Sequence, residues 1–205
     1  MGPSDRETGQ SRRSALVERE TTETKISLRL TLEGTGEARV STGIGFFDHM
    51  LDLMARHGGF DLDLEAEGDL ETGPHHTVED VAICLGQALE QAWGDKRGVN
   101  RYSSIHLPMD EALVLVVLDL SGRPLLVSDV ALPAGSIGGF DTDLLQEFLQ
   151  ALVNHARMTL HVRSLSGTNA HHLVEAVFKG LGRALAEAAR VSSPAGGVPS
   201  TKGVL

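Results

Sequence analysis

His75-His76-Thr77-Val78-Glu79-Asp80-Val81-Ala82-Ile83-Cys84-Leu85-Gly86-Gln87-Ala88-Leu89 has a counterpart 96 residues later, His171-His172-Leu173-Val174-Glu175-Ala176-Val177-Phe178-Lys179-Gly180-Leu181-Gly182-Arg183-Ala184-Leu185. Aligned without gaps, His-His, Val, Glu, Val, Leu, Gly, Ala and Leu coincide, too many matches for chance. Val78, Val81, Ala82, Leu85 and Leu89 recur at helical spacing, as do Val174, Val177, Phe178, Leu181 and Leu185. Each copy therefore reads as an amphipathic helix that opens with His-His-x-x-Glu. The first His and the Glu, at i and i+4, share one face of the first turn. The second His lies about 100° further round and points elsewhere. One such helix can give two ligands to one metal ion and a third to another. Two copies suggest a two-metal site, and an enzyme is the reason to build one.

Working outward, the chain divides into two halves with the same order of elements. In the first, Ile26, Leu28, Leu30 and Leu32 alternate as a strand, Gly34-Thr35-Gly36 turns, and Ala38, Val40 and Thr42 continue as a second strand. Phe46–Arg56 is a helix ended by Gly58-Gly59, Phe60–Ala66 a strand, and the first His-His helix runs to about Trp93. In the second, Leu113–Leu120 and Leu125–Val130 are strands around the turn Ser121-Gly122-Arg123-Pro124. A helix over Asp141–Met158 and a strand over Thr159–Arg163 follow, and the second His-His helix runs to about Val191. Segments near Ala15–Glu20 and Arg101–Leu107 can add one strand to each half. The expected fold is α+β, an internal duplication of a βββαβα half, each half a four-stranded sheet with two helices on one face. Residues 1–13 read as a disordered lead-in, 14–97 and 98–193 as the two halves, and 194–205 as a substrate-contacting tail. Gly86 and Gly182 each cost about 1 kcal/mol within a helix, and their matched places suggest close packing of helix on sheet.

The 205 residues, 41% hydrophobic and 22% charged, suffice for one compact domain or two small halves with buried cores. A net charge of −10 argues against nucleic acid or an anionic membrane as partner. No apolar run approaches the roughly 20 residues that span a bilayer. The single Cys84 excludes an internal disulfide and fits a reducing cytoplasm; inside a repeat helix it reads as a small core residue.

Nine histidines are present, and the two pairs stand out. His49 lies 26 residues before the first pair, and Glu147 stands 24 before the second, so both are competent ligands at matching places. His57, before a Gly-Gly helix end, either lines the same cleft or interacts with the helix C-terminus. His161 reads as a surface residue of a strand, and His106 and His155 have no partner motif. Histidines with carboxylates favour Mn, Fe, Co, Ni or Zn over Ca or Mg. Arg97, Arg101, Arg123, Lys179 and Lys202 fall in loops or near helix starts close to the expected histidine site, and Ser200-Thr201-Lys202-Gly203 offers hydroxyl and ammonium donors to a phosphate. The residues themselves reach a di-metal enzyme built from a duplicated half. A di-metal hydrolase and a metal-storage shell share that inventory.

Five motifs in order give the chain a specific resemblance from about Leu16 to Leu205. Gly45-Phe46-Phe47-Asp48-His49-Met50-Leu51, His75-His76-Thr77-Val78-Glu79-Asp80, Asp119-Leu120-Ser121-Gly122-Arg123-Pro124, Asn169-Ala170-His171-His172 and Pro199-Ser200-Thr201-Lys202-Gly203 resemble the motifs of the imidazoleglycerol-phosphate dehydratases. The resemblance implies dehydration of D-erythro-imidazole glycerol phosphate to imidazole acetol phosphate in histidine biosynthesis. It also implies two Mn²⁺ ions and a hollow assembly of twenty-four chains that share sites. By position, one ion falls to His49, His76, His171 and Glu175, the other to His75, Glu79, His172 and Glu147. Glu23 matches a carboxylate that transfers a proton, and Arg101, Arg123, Lys179, Ser200, Thr201 and Lys202, with His57, match substrate-holding positions. Two departures are visible. The family pattern carries His where this chain has Glu147, and an Asp often stands where Pro74 precedes the paired histidines. Pro74 cannot replace that carboxylate.

Overall fold

The computed structural model describes residues 12–193, 196–203 and 205, so Met1 to Ser11 of the expected lead-in lie outside it. Arg13 does not belong to a loose lead-in. Its guanidinium bonds Glu33 at 2.6 Å and donates to the Ala189 carbonyl at 2.8 Å.

The first half runs β1 (Ser14–Glu20), β2 (Thr24–Thr31), β3 (Ala38–Ser41), α1 (Gly45–Gly58), β4 (Asp61–Gly68) and α2 (His75–Trp93). The second runs β5 (Tyr102–Met109), β6 (Ala112–Asp119), β7 (Leu125–Asp129), the short hairpin β8 (Ser136–Ile137) and β9 (Phe140–Asp141), α3 (Leu144–Ala156), β10 (Thr159–Ser166) and α4 (Ala170–Ala189). Without the hairpin both read βββαβα, an α+β duplication. The two sheets have matching orders, β1-β2-β4-β3 and β5-β6-β10-β7.

The turns after β2 and β6 do not close hairpins. β4 pairs antiparallel with β2 and parallel with β3, and so lies between them; β10 does the same between β6 and β7. The reason is the helix that follows β3 or β7. A crossover helix lets the next strand return parallel, and that strand fills the gap. Gly59, with φ of 69°, ends α1, its N–H bonding the Ala55 and Arg56 carbonyls. Residues 136–141 form a hairpin that sequence reasoning missed, and α3 starts at Leu144, not Asp141.

The inward faces of β2 and β4 bury Ile26, Leu28, Leu30, Leu62 and Leu64 under α2, and Val114, Val116, Leu160 and Val162 form the matching layer under α4. The main helix contacts cross between halves, α1 on α4 and α2 on α3, so all four helices form a layer between the two sheets. This corrects the expected role of the matched glycines. A Cβ at Gly182 would meet the Met54 carbonyl oxygen of α1 at 2.2 Å, and one at Gly86 would meet the Leu152 carbonyl oxygen of α3 at 2.8 Å. They allow helix to touch helix, not sheet. Cys84 is fully buried, with its thiol pushed up to about 11 by burial.

Candidate active site

Both His-His pairs open their helices as the periodicity requires. In α2, His75 Nε2 stands 3.8 Å from Glu79 Oε2; in α4, His171 Nε2 stands 3.1 Å from Glu175 Oε2. Each i,i+4 pair points an imidazole nitrogen and a carboxylate at one place. The second histidines turn the other way. His76 Nδ1 is 3.0 Å from Asp69 Oδ2 and 3.8 Å from Glu23 Oε2. His172 Nδ1 is 2.7 Å from Glu111 Oε2. These bonds raise both imidazoles above their ordinary range, the Asp69 bond for His76 and the Glu111 bond for His172. In return the His172 bond, with the Asn169 N–H, holds the Glu111 carboxyl down at about 2.

A carboxylate therefore does meet His76 although Pro74 supplies none. Asp69 comes from the loop that leads into α2 and faces the helix start across Thr72, which also bonds it at 3.0 Å. Neither Asp69 nor Glu111 was found in the sequence. Their signal is weak because both lie in short turns beyond the repeated motif.

Glu175 is buried beside Lys179, whose ammonium lies 2.5 Å from Oε1. Burial raises the Glu175 carboxyl, but Lys179 and His171 outweigh it and hold the group below its usual range. His49 and Glu147 are exposed near the starts of α1 and α3, with no hydrogen-bond or ion-pair partner among the described residues. α1 packs on α4 and α3 on α2, but among the described residues neither His49 nor Glu147 joins a His–Glu pair of the same chain as a third donor. Phe46, one turn from His49, sets its ring edge against His171 at 5.1 Å.

Among the described residues no three His, Cys, Asp or Glu side chains gather in one chain as a metal-binding group. The donor chemistry nevertheless fits a borderline divalent ion, since each His–Glu pair offers an imidazole nitrogen and a carboxylate oxygen, two of the donors such an ion takes.

A second cluster lies elsewhere. Arg101, Tyr102, Arg123, Pro199, Ser200, Thr201, Lys202 and Leu205 line a cleft of about 730 Å³. Arg101 is fixed there by Asp119 at 2.7 Å and by the Pro199 carbonyl at 2.8 Å. Gly122, with φ of 70°, turns the chain against Leu205, where a Cβ would come within 2.7 Å of the terminal carbon. Arg123 is largely exposed, and Lys202 has no ion-pair partner among the described residues. Arg101 and Arg123 share the single carboxylate of Asp119, so with Lys202 the cleft keeps a net positive charge, which suits a phosphate.

The expectation that these cations stand near the histidines of the same chain fails. Arg101 precedes β5, whereas Glu111 and His172 lie beyond its far end. Eight residues of strand separate the two places by roughly 25 Å. Lys179 is with Glu175, and His57 lies with Arg56, Arg183 and Arg190 in another cleft; the structure brings neither into the Arg101–Lys202 cleft. Burial, then Lys179 and Arg183, lower the His57 imidazole. His161 and His106 are exposed strand residues. No helix is long and apolar enough to cross a membrane among the described residues.

The chain is similar to known proteins over most of its length. The family profile described as imidazoleglycerol-phosphate dehydratase matches residues 42–185. The imidazoleglycerol-phosphate dehydratase of Moorella thermoacetica is 58% identical over 193 residues, 94% of this chain and 98% of that protein. That of Azorhizobium caulinodans is 57% identical over 194 residues, with 94% and 98% covered. Among solved structures, the enzyme from Pyrococcus furiosus superposes with a TM-score of 0.80 at 40% identity, covering 92% of this chain and 100% of that one. The Staphylococcus aureus enzyme gives 0.78 at 38%, covering 85% and 97%. The chain, a hydro-lyase by that kinship, belongs to the imidazoleglycerol-phosphate dehydratase family.

Proposed function

We propose that this chain dehydrates D-erythro-imidazole glycerol phosphate to imidazole acetol phosphate in the cytoplasm, as a step of histidine biosynthesis, with two Mn²⁺ ions. One ion would be held by His49, His76, His171 and Glu175, the other by His75, Glu79, Glu147 and His172. The observation that carries the reading is the paired His–Glu geometry at the starts of α2 and α4.

The reaction removes a proton from one carbon of the glycerol chain and hydroxide from the carbon attached to the ring; together they leave as water. The resulting enol becomes the ketone. Ions bound at the ring would favour its deprotonated form, whose electrons help to expel hydroxide. Glu23, half exposed and 3.8 Å from His76, would take or return the proton. Arg101, Arg123, Ser200, Thr201 and Lys202 grip the phosphate, a group that does not react, and so orient the rest. Lys179 holds Glu175 in place.

Three carbons between ring and phosphate cannot bridge the roughly 25 Å that separate the two clusters in one chain. That supports sites completed by neighbouring chains; the assembly of twenty-four copies is what the family resemblance implies. The test is an ultraviolet assay for the enol-type product, with and without Mn²⁺. Product formed only with metal is the expected result. Release of inorganic phosphate instead would favour a hydrolase, and metal retained without turnover a storage shell.

A further inference from the structure

The duplication makes Glu23 and Glu111 counterparts. Each lies in the turn between the first two strands of its half and stands directly before the second, β2 or β6. Asp69 directly follows β4; since Lys25 pairs with Glu67 and Leu113 with Ser166, Gly167 is the counterpart of Gly68, and Thr168 that of Asp69. Each second histidine has two acids nearby, Asp69 and Glu23 beside His76 and Glu111 and Asp110 beside His172, but the one that bonds Nδ1 is Asp69 in the first half and Glu111 in the second.

We propose that Asp69 and Glu111 are positioning residues, recruited from non-equivalent places to grip Nδ1 of His76 and His172, and that this division releases Glu23 alone for proton transfer. The inference rests on the metal reading given above.

Both grips have the same design. A ligating histidine commonly donates its other ring N–H to a carboxylate, which fixes tautomer and ring direction. With Nδ1–H bonded, Nε2 keeps its lone pair for an ion. Glu111 Oε2 takes His172 Nδ1 at 2.7 Å, while Oε1 accepts the N–H groups of Asn169 at 2.9 Å and Thr168 at 3.3 Å. Asp69 takes His76 at 3.0 Å and the Thr72 hydroxyl at 3.0 Å. Each acid therefore ties the ring to the loop that leads into its helix. Asp110 stands 3.9 Å from the opposite nitrogen, His172 Nε2, beyond bonding distance.

The division of labour follows from residue identity. The counterpart of Asp69 in the second half is Thr168, which has no carboxylate and instead donates its N–H to Glu111 at 3.3 Å. In the first half Asp69 holds the ring, and Glu23 is left 3.8 Å from it with half of its side chain in water.

The test loads the assembled, metal-stripped protein with Mn²⁺ and measures affinity by competition with a chelator. Glu111→Ala is expected to weaken one of the two ions about 10- to 100-fold and leave the other at parental affinity. Glu111→Gln should fall between, because its amide oxygen still accepts N–H. Asp69→Ala should weaken the other ion by less, because Glu23 can close its short gap. Glu23→Gln should keep both affinities and lose turnover. Parental affinity of both ions in Glu111→Ala overturns the inference. Equal loss of both ions with a lowered melting temperature of the metal-free variant also overturns it, since Glu111 would then only clip the loop. Failure of the parent to bind Mn²⁺ would sink the metal reading instead.

Discussion

If the phosphate cleft and the histidine cluster of one chain serve different active sites, two inactive variants should repair one another. Arg123→Ala removes a largely exposed guanidinium from the Arg101–Lys202 cleft and leaves the helix starts intact. His172→Asn spoils a ligand at the start of α4, beyond the far end of β5 from Arg101, roughly 25 Å away by strand length. Each homogeneous protein should have little activity, because each of its sites contains the defect. In a mixed assembly, one site takes its histidine side from one chain and its phosphate side from another. With equal amounts and random assembly, about a quarter of sites draw both intact parts, so activity should approach a quarter of the parent. Neither change touches the core, so the mixture should assemble normally. The assay is co-expression with distinguishable tags, capture through both tags, and turnover per site. Mixed assemblies with no more activity than the sum of the two variants would refute the reasoning, and each active site would then lie within one chain.

Three further outcomes are expected. Gly182→Ala should destabilise the fold by about 1–3 kcal/mol despite a helix-propensity gain of about 1 kcal/mol, because its Cβ would strike the Met54 backbone of α1, which must move. Gly45→Ala, with nothing within 4 Å, is the control, and equal denaturant midpoints would contradict this packing account. Glu147→Gln should lower occupancy of one ion and cut activity sharply while Glu147→His retains the metal; full stoichiometry and normal turnover in the Gln variant would reduce Glu147 to a solvated helix residue. Asp61, held below its usual range chiefly by the Thr35 N–H at 2.7 Å, should stabilise the β2–β3 turn at neutral pH. A depressed carboxyl contributes above its unfolded value and loses that contribution as pH falls through the folded one. The melting-temperature gap between parent and Asp61→Asn should therefore close below about pH 4, and a gap independent of pH would count against it.

Much of this protein was legible as a string. Apolar residues at helical spacing behind each His-His pair gave α2 and α4 to within two residues of their ends, because a buried face imposes its own period. Alternation gave the β2 and β4 strands for the same reason, and a run rich in Val and Leu gave β6. The i,i+4 approach of His171 to Glu175 follows from helix geometry alone. Local rules could not decide what comes from far along the chain. Strand pairing depends on which segments crossover helices bring together, so β3 lies beside β4 and not β2. The partners of Gly86 and Gly182 depend on how the helices of the two halves interleave. The grips of Asp69 on His76 and Glu111 on His172 join residues 7 and 61 positions apart, through turns whose direction no periodicity encodes. The separation of the cations from the histidines is set by the length of β5, a distance measured along a strand and visible only once the sheet is assembled.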